Sequence, residues 1–512
     1  MSVQTEVTDG LRGYEELSFG SGYREELGVN RALAALTLYA SKQAHFPVRR
    51  VCDIACGTGR QVFVGALLHP QTQFLGIDGS KSHIAEAKRF GTALGLPNVR
   101  FECVDLRDAV VYPEKFDLIT CAGAFSWVPV DVQAEIFQFI STNLSAQGAA
   151  IIHYLTLPGA TVEQRLQRDI AQQVKHIPTL HARLKAAQAY LSAQIPGVAT
   201  LAADEASDVR TRVARRLFKP KDRGVPHEFL ASPISAYYFR DFTAQASAHG
   251  LHVLGDASVC GGEATCLPEG AIQAMFAHAK SWEEQQELLD MFGGRSGGRY
   301  ALLSRSTRSE APYINSLKGT VLRLSESDWY VIDDQRVHLS ETQSLPISQS
   351  LRAGLTKLHT VFPAALSCPE AFPGVHEAAL WPLVALGVIT VLSSNVTLTI
   401  RPPGTLRAFD IARVEGELGH DDLTSFIGIS RSRHTLVGSI LSYAAQPQMR
   451  EALVEHARNA IGSARAEDFE SDSWRRWWPQ KDALGRKFAA RGVSEALPEA
   501  LIDRLVRLGY LA

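Results

Sequence analysis

The chain has 512 residues, of which 46% are hydrophobic and 21% are charged, a composition typical of folded globular proteins. This length exceeds what one hydrophobic core supports, so about two to four domains are expected. The net charge of -2 offers no basic surplus for attracting nucleic acid or an anionic membrane, and we expect neither as a partner.

Cysteine usage and hydropathy give the expected compartment. The seven cysteines show neither paired CxxC spacing nor a disulfide framework, so we expect reduced thiols and no metal site. The N-terminal sequence MSVQTEVTDG is polar and unlike a signal peptide. The longest apolar run, 379–392, contains Pro382 and is shorter than the roughly 20 residues of a membrane span. These features predict a cytoplasmic protein without a membrane span.

Residues 1–158 alternate between short apolar runs and amphipathic helical segments. RRVCDIA (49–55) and TQFLGID (72–78) predict strands, whereas SHIAEAKRFGTALGL (82–96) has apolar residues at helical spacing. Strands that are apolar almost throughout, separated by helices, are typical of a parallel sheet covered on both faces. We therefore predict an α/β domain with a parallel sheet.

The pattern changes beyond residue 158. Helical periodicity dominates 159–310, as in EQRLQRDIAQQVKHI (163–177), and we predict a mostly helical middle domain. From 311 to 512, two predicted helices (347–362 and 376–392) precede a strand-like NVTLTIRPP (395–403). That order is typical of a winged-helix domain, which we predict for the C-terminal region.

The predicted strand ends carry glycines and acids. Ligands of open parallel sheets bind beyond the carboxyl ends of the strands. Glycines after the first strand permit a sharp turn and leave the backbone N–H groups of the next helix facing a ligand. Acids follow the second and third strands. We predict the following cofactor-binding residues: Asp53, Ala55, Cys56, Gly57, Gly59, Asp78, Gly79, Asp105, Leu106 and Ala122.

Two cofactors suit a glycine turn followed by an acid, and the sequence favours S-adenosylmethionine. A dinucleotide requires a third glycine under its pyrophosphate, and that position holds Val62. S-adenosylmethionine has no phosphate, and its ammonium group makes Asp53 useful. Asp78 is placed to accept the hydroxyl hydrogens of a ribose, and Asp105 to accept a hydrogen bond from an adenine amino group.

The segment AGAFSWVP (122–129) follows the fourth predicted strand and is the expected acceptor site. Aromatic rings there can hold a cationic donor and a cationic product amine through their π faces. A core position is the alternative for Trp127, whereas a histidine on an apolar strand, such as His153, is more often a core residue than a functional one. His153 or Tyr154 is considered as a proton relay. Tyr14 and Phe19 are considered as a lid. We predict the following catalytic residues: Phe125, Ser126, Trp127 and Tyr154.

These motifs resemble those of the class I, Rossmann-like S-adenosylmethionine-dependent methyltransferases. The similarity lies in VCDIACGTGR (51–60), FLGIDGS (74–80), NVRFECVDL (98–106) and FDLITCAGAFSWVP (116–129). The family resemblance implies methyl transfer to an acceptor that the motifs do not identify.

A narrower resemblance involves a bacterial branch that carries a methyltransferase regulatory domain and includes the outer-membrane-protein lysine methyltransferases. AGAFSWVPVDV (122–132), IIHYLTLPGA (151–160) and 227–258 are similar to its motifs. This chain departs from the branch in having His153-Tyr154-Leu155 in place of Ser-Tyr-Asn, and Ala160 in place of an aromatic residue.

The resemblance implies a cofactor-binding domain at 1–158 and a regulatory domain at 159–310. The winged-helix-like domain at 311–512 is predicted from the order of its elements and not from the resemblance. The resemblance favours N-methylation of protein lysine side chains. Two alternatives remain: N- or O-methylation of a small natural product, and a regulatory or scaffold protein that binds S-adenosylmethionine without turnover. A homodimer is the oligomeric state considered beside a monomer.

Overall fold

The computed structural model describes residues 24–39, 47–200, 208–218, 225–230, 234–258, 269–293, 298–307, 317, 320–324, 331–332, 335–338, 344–361 and 365–393. The chain divides into two compact units, and the first contains residues up to 314 apart from 64–70 and 92–96. The lid residues Tyr14 and Phe19 and the strand predicted at 395–403 lie outside the described residues.

An eight-stranded sheet forms the centre of the first unit. Its strands are β1 (Arg50–Ile54), β2 (Gln73–Asp78), β3 (Val99–Cys103), β4 (Phe116–Cys121), β5 (Leu144–Thr156), β6 (Ala236–Tyr237), β7 (His252–Asp256) and β8 (Arg299–Ser304). The order is β3-β2-β1-β4-β5-β8-β7, and β6 pairs with the end of β5. Strands β1 to β5 are parallel, whereas β8 is antiparallel to both β5 and β7. The strand order therefore reverses between β1 and β4, where open sheets bind ligands.

Eleven α-helices are described between residues 24 and 314. They are α1 (Val29–Tyr39), α2 (Arg60–Leu68), α3 (Lys81–Leu94), α4 (Val130–Asn143), α5 (Thr161–Val174), α6 (Leu180–Gln194), α7 (Val209–Arg216), α8 (Val225–Leu230), α9 (Phe239–Ala248), α10 (Glu269–Phe276) and α11 (Trp282–Gly293). Helices α2, α3 and α4 are crossovers, which parallel strands require. The predicted α/β, Rossmann-like fold is confirmed. None of the helices in the described ranges combines the length and apolarity needed to cross a membrane.

Aromatic packing dominates the core beside α4 and α9. The Phe125 ring lies 5.1 Å from Phe137 and 5.5 Å from Phe242, both in edge-on contacts. Tyr154 stacks on Phe242 with a centroid separation of 3.8 Å. Fully burying each such ring contributes about 2–3 kcal/mol to folding, so this cluster anchors β5 and the turn after β4.

The helices α5 to α8, here called the helical segment, lie in the chain between β5 and β6. They share a separate hydrophobic core that includes Leu166, Ile170, Leu191 and Phe229. After this segment the chain returns to the sheet as β6, β7 and β8. The domain boundary expected at residue 158 therefore separates β1 to β5 from β6 to β8, although all eight strands belong to one sheet. The helical segment lies between β5 and its partner β8 in the sequence.

A buried ion pair joins α11 to β8. Arg299, 2% exposed, donates to both carboxylate oxygens of Asp290 and to the side chain of Gln286, and its guanidinium lies 4.6 Å from the Phe239 ring centroid. A buried guanidinium is stable only when such acceptors neutralise it. This pair fixes the start of the strand that separates β5 from β7.

The described part of the second unit contains short elements: β9 (Thr320–Leu324), β10 (Val331–Ile332), β11 (Arg336–His338), β12 (Ser344–Pro346), α12 (Gln349–Val361), β13 (Leu366–Ser367), α13 (Cys368–Ala371), α14 (Trp381–Ala385) and β14 (Ile389–Ser393). They form the sheets β10-β11-β12 and β13-β9-β14. The helix predicted over 376–392 is wrong in its last part, which is β14. Gly387, with φ of 66°, follows α14, and the β-branched residues beyond it pair with β9. The winged-helix domain remains a prediction.

Candidate active site

The turn between β1 and α2 uses left-handed backbone at three positions. The φ angles are 55° at Ala55, 54° at Gly57 and 86° at Gly59. At Gly59 a side chain is also excluded by space, because a Cβ atom would lie 2.6 Å from the Phe101 ring. A non-glycine residue such as Ala55 adopts this conformation rarely, and such positions concentrate at functional sites.

Asp78, at the end of β2, is fixed by this turn. One carboxylate oxygen accepts from the backbone N–H of Gly57, and the other from the N–H of Ser80, each at 2.8 Å. The side chain is only 12% exposed. Each carboxylate oxygen has further acceptor capacity beyond these bonds, so the group can also receive two hydroxyl hydrogens.

Asp53 is a second, more deeply buried carboxyl. It is 4% exposed, and the Thr120 hydroxyl of β4 donates to it at 2.6 Å. Burial raises the pKa of Asp53 to about 7; the Thr120 hydrogen bond lowers it, and the negative charge of Asp78 raises it further. A ligand cation placed beside Asp53 favours its charged form.

Asp105 is half-buried and already has a cationic partner. Arg107 donates to its carboxylate through Nε at 2.9 Å and Nη2 at 2.7 Å, and these bonds lower the pKa of Asp105. The side chain also accepts from the backbone N–H of Arg107, and so caps the short 3-10 turn that begins at Leu106. An adenine amino group would therefore share Asp105 with Arg107.

The remaining predicted cofactor residues lie along the same edge. The Cys56 N–H donates to the carbonyl of Ile77, which ties the turn to β2, and burial raises the pKa of its thiol. The Gly79 carbonyl accepts from the thiol of Cys103. Leu106 and Ala122 are half-buried after β3 and β4. The strand register thus brings the predicted set together at the carboxyl ends of β1 to β4.

Three of the predicted catalytic residues pack in the core. Phe125 and Tyr154 are both 0% exposed in the aromatic cluster, and their catalytic role stays a prediction. Ser126 is also buried, and its hydroxyl accepts from the N–H of Leu155 at 2.9 Å. Its carbonyl accepts from the N–H of Ser235. Ser126 therefore holds the turn after β4 against both ends of the helical segment.

Trp127 occupies a different position, at the base of the helical segment. It is 9% exposed and packs with Leu155 and Ala160, before α5, and with Ile234, after α8. Its ring lies nearly parallel to His153, with centroids 6.2 Å apart. The indole Nε1 is buried and finds no hydrogen-bond partner within the described part of the chain. A buried unpaired donor is costly, which marks this ring as a candidate ligand contact.

Two further residues beside these rings, Tyr300 and Arg24, were not predicted from the sequence. Tyr300, opposite His153 in the β5–β8 register, lies 4.7 Å from it between ring centroids. The Tyr300 hydroxyl accepts from Arg24 Nη1 at 2.8 Å. We call Trp127, His153, Tyr300 and Arg24 the rim cluster. No local signal could have revealed it, because its members come together only through long-range strand pairing.

The arrangement fits S-adenosylmethionine on chemical grounds. A buried carboxyl with a raised pKa suits an ammonium group, and a second carboxylate held by backbone N–H groups suits a diol. The left-handed turn lets the backbone approach a ligand closely. In the described residues no cluster of three metal-ligating side chains is found.

A family model described as a methyltransferase domain matches residues 47–205. Among curated proteins, the chain is 29% identical over 223 residues to an uncharacterized protein of Rickettsia prowazekii, covering 44% of this chain and 40% of that protein. It is 28% identical to a second uncharacterized protein of that organism, over 40% of this chain and 82% of the relative. Trans-aconitate 2-methyltransferase of Methylobacterium nodulans is 30% identical over 27% of this chain and 49% of that enzyme.

Among solved structures, PKMT2 from Rickettsia typhi matches with a TM-score of 0.63 and 19% identity, covering 96% of this chain and 99% of that one. The same protein in complex with AdoHcy matches with a TM-score of 0.64 and 17% identity. At sequence identities this low, the match establishes a shared fold and nothing finer. Residues 47–205 therefore match a methyltransferase domain, within a chain that shares the fold of PKMT2.

Proposed function

We propose that this chain uses S-adenosylmethionine to N-methylate lysine side chains of a protein. The observation that carries the cofactor assignment is the pair Asp53 and Asp78 on either side of a left-handed glycine turn. Support for the acceptor class comes from PKMT2, a protein lysine methyltransferase whose fold resembles this chain over 96% of its length.

The cofactor, when bound, supplies an electrophilic methyl group. Asp53 would hold its ammonium group, Asp78 its ribose hydroxyls and Asp105 its adenine amino group. Hydrogen bonds hold all three carboxyls before binding, from the Gly57 N–H to Asp78, from the Thr120 hydroxyl to Asp53 and from the Arg107 N–H to Asp105. Such preorganisation lowers the entropic cost of binding and of aligning the reacting atoms.

The rim cluster suits an amine acceptor. A lysine must lose a proton before it attacks, which costs about 4–5 kcal/mol at neutral pH. The Trp127 and His153 rings, 9% and 4% exposed, offer a poorly hydrated surface, and desolvation lowers the pKa of an amine placed there. His153 is also a suitable acceptor for the released proton.

The helical segment favours a large acceptor. It forms its own core directly after β5, and Trp127 packs on both of its ends. A small substrate needs no second folded body beside the reacting atoms. We propose that the segment contacts the protein that carries the lysine.

Incubating the full chain with methyl-labelled S-adenosylmethionine and a cell lysate tests the proposal. Label is expected in protein, and acid hydrolysis is expected to release labelled methyl-lysines. The variant Asp78→Asn, which keeps the shape but removes the charge, is expected to lose most of this incorporation because ribose hydroxyls lose a charged acceptor. Labelled protein that yields no methyl-lysine would contradict the acceptor assignment.

Methylation of a small molecule is the second candidate. The similarity to trans-aconitate 2-methyltransferase over 142 residues favours it. Label confined to the small-molecule fraction of the same incubation would establish this function instead. Tight binding of S-adenosylhomocysteine without transfer to either fraction would leave the regulatory or scaffold role.

A further inference from the structure

We infer that Arg24, preceding α1, binds the carboxylate of the cofactor's methionine moiety. The inference rests on the proposed use of S-adenosylmethionine. It assigns a positively charged side chain to a site whose other predicted charged ligand contacts are carboxylates. Sequence motifs do not indicate Arg24, because it precedes the sheet and is distant in sequence from Gln61 and Tyr300, which position it.

A pair of reciprocal hydrogen bonds places Arg24 beside the glycine turn. Its backbone N–H donates to Gln61 Oε1 at 2.9 Å, and Gln61 Nε2 donates to the Arg24 carbonyl at 3.0 Å. Gln61 is the second residue of α2, the helix that begins directly after Gly59. The backbone of Arg24 is therefore held at the helix end that faces the cofactor site.

Tyr300 fixes the direction of the guanidinium. Its hydroxyl accepts from Nη1 of Arg24 at 2.8 Å, and the half-buried ring packs beside His153. This bond occupies one of the five N–H donors of the guanidinium, and two parallel donors are sufficient to bind a carboxylate.

The charge of the site favours such a cation. Asp53 and Asp78 make the carboxyl edge of β1 and β2 acidic, whereas Asp105 is already paired with Arg107. The cofactor's amino acid end carries a carboxylate as well as an ammonium group, and its carboxylate is repelled by these acids in a partly buried site unless a cation compensates it. The Arg24 guanidinium, held by Tyr300, supplies that cation.

Calorimetric titration of the full chain with two ligands tests the inference. S-adenosylhomocysteine carries the carboxylate, and its decarboxylated analogue lacks only that group. Arg24→Met is expected to weaken binding of S-adenosylhomocysteine about tenfold or more while leaving the affinity for the analogue nearly unchanged. Arg24→Lys is expected to restore part of the loss, because it keeps the charge without the paired donors.

Arg100→Met is the matched control, because Arg100 is a surface residue of β3 whose side chain is 74% exposed and paired with Glu102. It removes the same charge and is expected to leave both affinities unchanged. Tyr300→Phe is expected to weaken only S-adenosylhomocysteine, to a smaller extent than Arg24→Met.

Three results would overturn the inference. Equal losses for both ligands in Arg24→Met would indicate a structural role. Loss of the difference between ligands in Arg60→Met but not in Arg24→Met would assign the carboxylate to Arg60, the first residue of α2. Unchanged cofactor affinity with a higher KM for the acceptor would place Arg24 in the acceptor site. Failure of wild-type chain to bind S-adenosylhomocysteine would instead refute the proposed function.

Discussion

Individual residues of the cofactor site combine burial with charge, and Asp53 shows the consequence most directly. Its pKa of about 7 in the unliganded protein means that the carboxyl is about half protonated at neutral pH. A bound ammonium group requires the ionised form and so lowers this pKa on binding. Proton release and cofactor binding are therefore linked at this position.

The affinity for S-adenosylhomocysteine is expected to fall as pH decreases from 8 to 5.5, approaching about tenfold per unit below the pKa of Asp53. Asp53→Asn is expected to bind more weakly at pH 8 and to show a flatter pH profile. Titration calorimetry across this range measures both. A wild-type profile as flat as that of the variant would exclude Asp53 as the ammonium acceptor.

Gly59 allows a test of the turn with an internal control. Gly59→Ala adds a methyl group at a φ of 86° and 2.6 Å from the Phe101 ring, so we expect a lower Tm and loss of cofactor binding. Gly95→Ala imposes similar backbone strain at φ of 63° with no atom within 4 Å of the added Cβ. It is expected to cost only about 1–2 kcal/mol and to leave binding intact. Equal effects of the two variants on binding would mean that backbone strain alone, and not the contact with the Phe101 ring, accounts for the loss of cofactor binding.

At the scale of elements, Trp127 links the sheet to the helical segment. It packs on Leu155 and Ala160 at the start of the segment and on Ile234 at its end. Its stacking on His153 brings the same ring into the rim cluster. Packing and the proposed acceptor binding therefore involve the same side chain, and substitutions must be chosen to separate them.

Trp127→Ala is expected to destabilise the chain by about 3–5 kcal/mol and to make the helical segment more susceptible to protease, because it leaves a cavity at the segment's base. Trp127→Phe fills most of that space without the N–H group. It is expected to retain most of the stability and to lose transfer activity more than cofactor affinity. Full activity in Trp127→Phe would show that the ring acts only in packing.

Elements with a local signal can be predicted from the sequence. The glycine turn, the acids after β2 and β3 and the alternation of strands and helices all follow from neighbouring residues, and the fold they predict is confirmed. The buried positions of Phe125 and Tyr154 could not be predicted, because Phe242 of α9 covers both rings and is distant in sequence. The strand β14 lies within a predicted helix, because the periodicity of a short apolar run does not distinguish a strand from a helix.

At the scale of the molecule, the sheet depends on strands that are distant in sequence. β5 pairs with β8 over six residues, from Ala149 with Ser304 to Tyr154 with Arg299. A fragment ending at residue 158 would expose this apolar edge of β5, and exposed strand edges promote aggregation. A domain that ends at residue 158 and a unit that ends at residue 314 therefore predict different solubility and folding for chains truncated at these two positions.

Residues 1–158 expressed alone are expected to be insoluble or to lack a cooperative thermal transition, whereas residues 1–314 are expected to be soluble and to bind S-adenosylhomocysteine. Circular dichroism with thermal melting and titration of both fragments measures this. A cooperatively folded, ligand-binding fragment of 1–158 would show that β7 and β8 are dispensable.

The central place of β8 in the sheet also bears on how the protein is made. A ribosome delivers β5 early and β8 about 150 residues later, so the newly made β5 edge waits unpaired while the helical segment emerges and gains its own core. Closing the sheet then requires a contact between distant parts of the nascent chain, which is slow compared with local helix formation. Translation rate and chaperone supply should therefore influence the yield of this protein more than that of an enzyme whose sheet is completed in the order of synthesis.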